Sequence, residues 1–189
     1  MGLAGNGRRS YGNPICFQPA GGIKTVSIDS WQVVKYVKAH AEWLGVDPER
    51  ITVAGDSAGG NLAAACARRD RNMRTGILYG QVLIYPVLSQ IEPVGVKGYH
   101  FSLEDYQVEN DQAKWIVPSI QSTRQAVLGR ALYTKSRRDA ACPDASPLLD
   151  RDFSRLPRTL LICAKYDYLT QQCRAYAWNL AQAGWMSHC

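Results

Sequence analysis

Long apolar runs are absent from this chain of 189 residues. No stretch approaches the roughly 18 residues that a membrane-spanning helix needs, which argues against a helical span. The opening segment, MGLAGNGRRSYGNPICFQPAGG, has no continuous apolar stretch after its arginines. It does not read as a secretory signal, and a cytoplasmic setting is expected. Paired-cysteine motifs are missing as well. None of the six cysteines (Cys16, Cys66, Cys142, Cys163, Cys173 and Cys189) belongs to a C-x-x-C pair, and no Cys/His cluster has zinc spacing. No metal site is expected, and the thiols read as reduced. Cys66 and Cys163 fall within apolar segments, where a free thiol acts as a small hydrophobe. Internal repeats and low-complexity segments are also lacking.

What is present suits one globular core: 46% of the residues are hydrophobic. The net charge of +6 admits an anionic partner, but the basic residues are dispersed. Arg68, Arg69, Arg71 and Arg74 form one local group, and Lys135, Arg137 and Arg138 another. Neither has the interleaved aromatics of a single-strand binding surface, so both read as solvated helix ends rather than a nucleic-acid site.

Residues 1 to about 22 are rich in Gly and Pro, without a period, and read as irregular. SIDSWQVVKYVKAHAEWLG then carries a helical stripe of Trp31, Val34, Val37, Ala41 and Leu44. Asp29 or Ser30 is placed to cap that helix and Gly45 to end it. RITVAG reads as a short buried strand, NLAAACARR as a helix, and the stretch around Gln81–Tyr85 as a second buried strand. Residues 89–150 are polar and mixed, with helical stretches expected at 104–116 and 122–133. They read as an insertion over the sheet. RTLLICAKYD then supplies a strand and TQQCRAYAWNLAQAG a helix stopped by Gly184. Strands alternating with helices predict an α/β domain with a mostly parallel sheet.

The most informative stretch is ITVAGDSAGGNLAAACARR, residues 51–69. One serine stands between glycines where a strand turns at once into a helix. Such a turn crowds the backbone, and small neighbours (Gly55, Asp56, Gly59 and Gly60 form the elbow) let Ser57 take a strained position with its hydroxyl projecting above the sheet. The hydroxyl then lies near unsatisfied N–H groups at a helix start, and the Ala58 N–H is placed to face an oxyanion. The bland alternative is a glycine-rich turn with a structural serine.

DPERITVAGDSAGGNLAAA resembles the nucleophile region of the hormone-sensitive-lipase-like branch of the α/β-hydrolases. This branch contains bacterial carboxylesterases and arylacetamide-deacetylase-like enzymes. A second block, DASPLLDRDFSRLPRTLLICAKYDYLTQQCRAYAWNLAQAG, is similar to that family's acid-residue region. The likeness runs from about residue 28 to 184 and is weakest between 95 and 140, where cap insertions vary. The resemblance implies a single α/β-hydrolase domain over residues 1–189, with 89–150 as a helical cap-like insertion. It implies Ser57 as nucleophile and Asp167 as the acid of a Ser–His–acid triad, although Asp167 also reads as an acidic residue at a helix start. Its substrate would be a small-molecule ester, cleaved through an acyl-serine without metal or organic cofactor.

Two family features are not found. An upstream H-G-G-G segment is replaced by only Gly21-Gly22, and the family histidine stands about 30 residues beyond the acid. The last residue is 189, so 22 residues follow Asp167, and His188 is the sole histidine among them. His40 and His100 read as surface histidines. The chain is therefore expected to represent the middle and late part of a hydrolase, truncated at both ends. A non-catalytic remnant acting as a binding module is the second reading. Tyr99, Phe101, Tyr106, Trp115 and Ile116 are candidates for an acyl pocket or for ordinary packing of the insertion. Oligomeric state has no signal in the sequence.

Overall fold

A computed structural model describes residues 3–4, 8–9, 22–129, 134 and 136–184. Two strands of two residues, β1 (Leu3–Ala4) and β2 (Arg8–Arg9), pair antiparallel near the start, in a segment expected to be irregular. Strands this short hold too few residues for a periodic signal.

Helix α1 (Gly22–Ala39) begins well before the expected caps, so Asp29 and Ser30 lie inside it rather than at its end. The stripe marks the buried face, on which Trp31 and Val34 sit. The helix start is a separate matter, because residues 22–28 hold no proline to stop propagation upstream. The chain breaks at His40 and resumes as α2 (Ala41–Leu44). Gly45 ends that turn in the left-handed conformation, φ 64°, its N–H donating to the Glu42 carbonyl at 3.0 Å.

The central sheet is parallel, in the order β3 (Ile51–Asp56), β4 (Leu78–Ile84), β5 (Arg158–Ile162). Helix α3 (Ser57–Met73) follows β3 without an intervening loop. Its run of Ala63, Ala64, Ala65, Cys66 and Ala67 is buried, the small side chains letting the helix lie close between the sheet and α1. Val53, Leu83 and Leu161 meet Trp31, Val34, Leu148, Phe153 and Tyr176 in the main core.

The strands were expected to be buried on both faces, and they are not. Thr52, Ala54 and Asp56 of β3, and Arg158, Leu160 and Ile162 of β5, share one exposed face. Leu160 is 55% and Ile162 43% exposed. Among the described residues, helices cover the opposite face of the sheet, so the period-2 alternation decides which side chains are dry.

The insertion also differs from expectation. A 3₁₀ turn (Leu103–Tyr106) precedes one continuous helix, α4 (Asn110–Leu128), in place of two. Pro118 lies inside it, in the interval left between the two expected stretches. The residue is exposed, so its ring meets solvent rather than a packed neighbour. A single turn, α5 (Arg137–Ala140), and a 3₁₀ turn at Pro147–Leu149 lead back to β5. Tyr106, Ile120 and Val127 form a second core with Val87 of the loop after β4, Tyr168 of the loop after β5, and Leu169 at the start of the last helix. The last helix, α6 (Leu169–Gln182), ends before Gly184 at φ 92°.

Buried polar side chains bolt these layers together. Gln172 of α6 accepts the N–H groups of Leu88 and Ser89, each at 2.8 Å, and donates to the Ser89 carbonyl at 3.1 Å. Asn61 of α3 donates to the carbonyls of Val87 at 2.7 Å and Ala145 at 2.9 Å. The arginines of α3 are not solvated as expected. Arg68 pairs with Asp144 and Asp150, and Arg71 with Asp150, fastening the helix to the segment before β5.

Candidate active site at the carboxyl ends of the strands

Ser57 is a non-glycine residue in the left-handed region, φ 49°. A conformation of this kind costs about 1–3 kcal/mol and persists only where neighbours over-determine it. Here the strand enters the helix in a single step, and the backbone of the helix start presses back on the strand. A Cβ on Gly55 would stand 2.3 Å from both C and O of Gly59, and one on Gly60 would stand 2.7 Å from Pro86 Cβ. Gly59 has room, with Asp56 Oδ1 at 3.7 Å as its nearest neighbour. The Val87 N–H then donates to the Ser57 carbonyl at 3.0 Å, tying the elbow to the loop after β4.

The three strand ends form a row. Tyr85, just past β4, also has a positive φ, 34°, and its N–H donates to the Ile162 carbonyl at 2.6 Å. Asp167 lies on the loop after β5. Its Oδ1 accepts the Leu169 N–H at 3.0 Å, and its carbonyl accepts the Tyr106 hydroxyl at 3.2 Å. Since β4 separates β3 from β5, the Ser57 and Asp167 strand ends are two strand spacings apart, roughly 10 Å.

Gly55, Asp56, Ser57, Ala58, Gly59 and Gly60 thus share one turn, with Asp167 on the same end of the sheet. Ala58 stands in the first turn of α3, where N–H groups have no intrahelical acceptor. The described histidines stand elsewhere. His40 stacks on Tyr36 with ring centroids 4.0 Å apart, and His100 pairs with Asp105 at 3.1 Å. His188, Gly21, Cys16 and Cys189 lie outside the described residues. Among the described residues, no group of three or more His, Cys, Asp or Glu is placed to hold a metal ion.

The chain's fold and the order of its motifs have a counterpart among known proteins. The family model of the α/β-hydrolase fold matches residues 19–189. The chain belongs to the α/β-hydrolase fold family. Several of its relatives are named as esterases, as the likeness to the hormone-sensitive-lipase-like branch implies. It is 29% identical over 170 residues to an arylesterase of Saccharolobus solfataricus, covering 85% of this chain and 47% of the relative. It is 30% identical to the carboxylesterase NlhH of Mycobacterium tuberculosis, covering 82% of this chain and 45% of that protein. Among solved structures, the thermostable carboxylesterase EstE1 from a metagenomic library aligns with a TM-score of 0.63 at 37% identity, covering 84% of this chain and 50% of that one. This hydrolase chain spans about half the length of the relatives it matches. Among the described residues, no helix is long and apolar enough to cross a membrane.

The aromatic residues of the insertion do not converge on a pocket. Phe101 stacks edge-on against Tyr168 at 5.3 Å, and Ile116 packs on the second core. Trp115 is 73% exposed, and the Tyr99 hydroxyl bonds Glu92. A cavity of about 230 Å³ lies beside the Asp167 loop, lined by Asp105, Tyr106, Gln107, Lys165, Thr170 and Arg174. Of the five aromatic and aliphatic candidates only Tyr106 reaches it. Sequence reasoning missed Gln172 and Asn61, which hold the loop after β4 against α6 and α3. An isolated Gln or Asn within a helix carries no signal of a partner 26 or 84 positions distant.

The Asp167 carboxyl is raised above the ordinary carboxylate value by burial, against the lowering effect of the Leu169 N–H. A raised carboxyl holds its proton more tightly in the folded chain than in the unfolded one. Its contribution to stability is therefore greatest in acid and declines as pH rises through the folded-state value. Asp167→Asn keeps an acceptor for Leu169 and removes the charge. The variant should melt above wild type at neutral pH, and the gain should vanish below the carboxylate range. Thermal melts across that range check this, and a pH-independent difference would refute the burial effect.

Proposed function

We propose that this chain carries the nucleophile and acid of a carboxylic ester hydrolase, with Ser57 attacking the ester carbonyl. The observation that carries the reading is the strained φ of Ser57 at the junction of β3 and α3, with Asp167 on the same end of the sheet. In this reading the Ser57 Oγ adds to the carbonyl carbon, and the Ala58 N–H at the start of α3 stabilises the oxyanion. The alcohol leaves, an acyl-serine remains, and water releases the acid. Asp167 orients and stabilises the imidazolium formed when a histidine takes the serine proton. His40 and His100 are engaged elsewhere, so that histidine comes from outside the described residues.

The substrate class is a small-molecule ester, as the names of the relatives suggest. The domain reading is one α/β-hydrolase unit over 1–189 with 89–150 as its cap, supported by the second core built between that segment and the loops after β4 and β5. The free thiols among the described residues favour a reducing setting such as the cytoplasm.

The test is hydrolysis of a short-chain p-nitrophenyl ester by the purified chain beside Ser57→Ala, with fluorophosphonate labelling of both. The expected result is a single adduct at Ser57 and a loss of turnover in the variant by a factor on the order of 10⁴ to 10⁶. Equal rates with no adduct would overturn the catalytic reading. The elbow would then be architecture alone, the non-catalytic binding module that the engaged histidines also allow.

A further inference from the structure

Asp167 is held from two sides. Its carbonyl accepts the Thr170 N–H at 3.1 Å, from the start of α6, and the Tyr106 hydroxyl at 3.2 Å, from the insertion. Its Oδ1 accepts the Leu169 N–H at 3.0 Å. Among the described residues Oδ2 accepts no hydrogen bond, so the chain fixes one carboxylate oxygen and leaves the other for an outside donor. Tyr106 is the one contact through which the insertion grips this backbone, and it is buried in the second core at 4% exposure.

A single carboxylate closes the insertion around that contact. Glu92, on the loop after β4, accepts Nε and Nη2 of Arg124 in α4 on its Oε2, at 3.2 and 2.7 Å. Its Oε1 accepts the Tyr99 hydroxyl. The Tyr99 oxygen lies 3.3 Å from the hydroxyl of Tyr168, the buried neighbour of Asp167. The Arg124 guanidinium also stands over the Phe101 ring, 5.0 Å from its centroid. Phe101 in turn meets Tyr168 at 5.3 Å and Tyr106 at 6.3 Å, both edge-on. A lone ion pair as exposed as Glu92 and Arg124 would contribute little. Here both carboxylate oxygens are engaged, and each bond orients a group that the next one needs.

We propose that Tyr106 is a positioning residue for Asp167, and that Glu92, Tyr99 and Arg124 clamp the insertion so that Tyr106 stays in place. The inference rests on the reading of Ser57 and Asp167 as nucleophile and acid. In it the insertion aims the acid of the triad as well as lying over the sheet. Such an acid works by fixing the tautomer and orientation of the histidine, so a small displacement of its carboxylate lowers turnover rather than substrate affinity. Tyr106 acts only through Asp167, and the clamp acts only through Tyr106 and Tyr168.

The test compares the whole chain with Tyr106→Phe, which keeps the ring in the second core and removes only the donor. With a short-chain p-nitrophenyl ester, kcat should fall by about tenfold while KM changes by less than about twofold. Glu92→Gln and Arg124→Met should show the same split at about threefold, with Arg124→Lys recovering part of the loss. A raised KM at unchanged kcat would make Tyr106 a substrate contact and overturn the positioning role. Amide hydrogen exchange on the same proteins reads the clamp without turnover. Segment 166–174 should exchange faster in Tyr106→Phe and Glu92→Gln, while β3 (Ile51–Asp56) keeps its wild-type rate. No change at 166–174 in either variant, or an equal rise in β3, overturns the inference. Wild-type turnover equal to that of Ser57→Ala would instead defeat the esterase reading, and exchange alone would then decide whether Tyr106 and the clamp hold the Asp167 loop.

Discussion

Gly55→Ala should destabilise the chain by about 3 kcal/mol or more, the upper range for overpacking a site that cannot yield. The added methyl carbon would sit 2.3 Å from the carbonyl carbon and oxygen of Gly59, which are backbone atoms of a helix start. A flexible side chain could swing aside, but this peptide cannot move without pulling α3 off the sheet. Gly59→Ala is the paired control. Its methyl has Asp56 Oδ1 at 3.7 Å as nearest neighbour, and Ala is the better helix former by roughly 1 kcal/mol. That variant should match or exceed wild type. Urea unfolding followed by circular dichroism separates the two, and equal midpoints would mean that the elbow relaxes freely. The result bears on function, because the same crowding holds Ser57 in its strained conformation.

Asp150→Ala should cost roughly 3–5 kcal/mol, the usual penalty for stripping the partner from a buried charge. Asp150 Oδ2 accepts from Arg68 Nε and Arg71 Nη2, each at 2.7 Å. The Arg71 side chain is only 4% exposed, so its guanidinium has no water to fall back on. Arg68 keeps Asp144 at 2.5 Å, which limits its share of the loss. The double substitution Arg71→Met with Asp150→Leu should recover much of the stability, since neither charge then needs solvating. A double-mutant cycle in chemical denaturation measures this. A single-variant loss below about 1 kcal/mol would place the pair among ordinary surface ion pairs.

The parts of this chain that were legible in sequence are local. From Ile51 to Met73 a β-branched run, a glycine-rich turn and an Ala-rich segment follow one another within a few turns of chain, and each states its own preference. Gly45 and Gly184 end their helical segments at positive φ, as their positions imply. Where a local rule met a tertiary one, the local reading failed. Two helical stretches were expected at 104–116 and 122–133, yet α4 runs unbroken through the interval between them, with Pro118 on an exposed face. The arginines of α3 read as solvated, yet Asp144 and Asp150 arrive from the far side of the insertion. Gly55, Gly59 and Gly60 all read as elbow glycines, and only the structure shows that the crowding falls on Gly55 and Gly60.

The same division runs through the candidate site. By itself the sequence determined that a serine stands at a strand-to-helix seam and that an acid follows a later strand, because both are statements about neighbouring residues. Only the tertiary structure decided that β4 lies between those two strands. It alone decided that Gln172 reaches the Leu88 amide 84 positions away. Strand order and contacts of that span are set by which apolar faces bury together across the whole chain, and no window of sequence contains them.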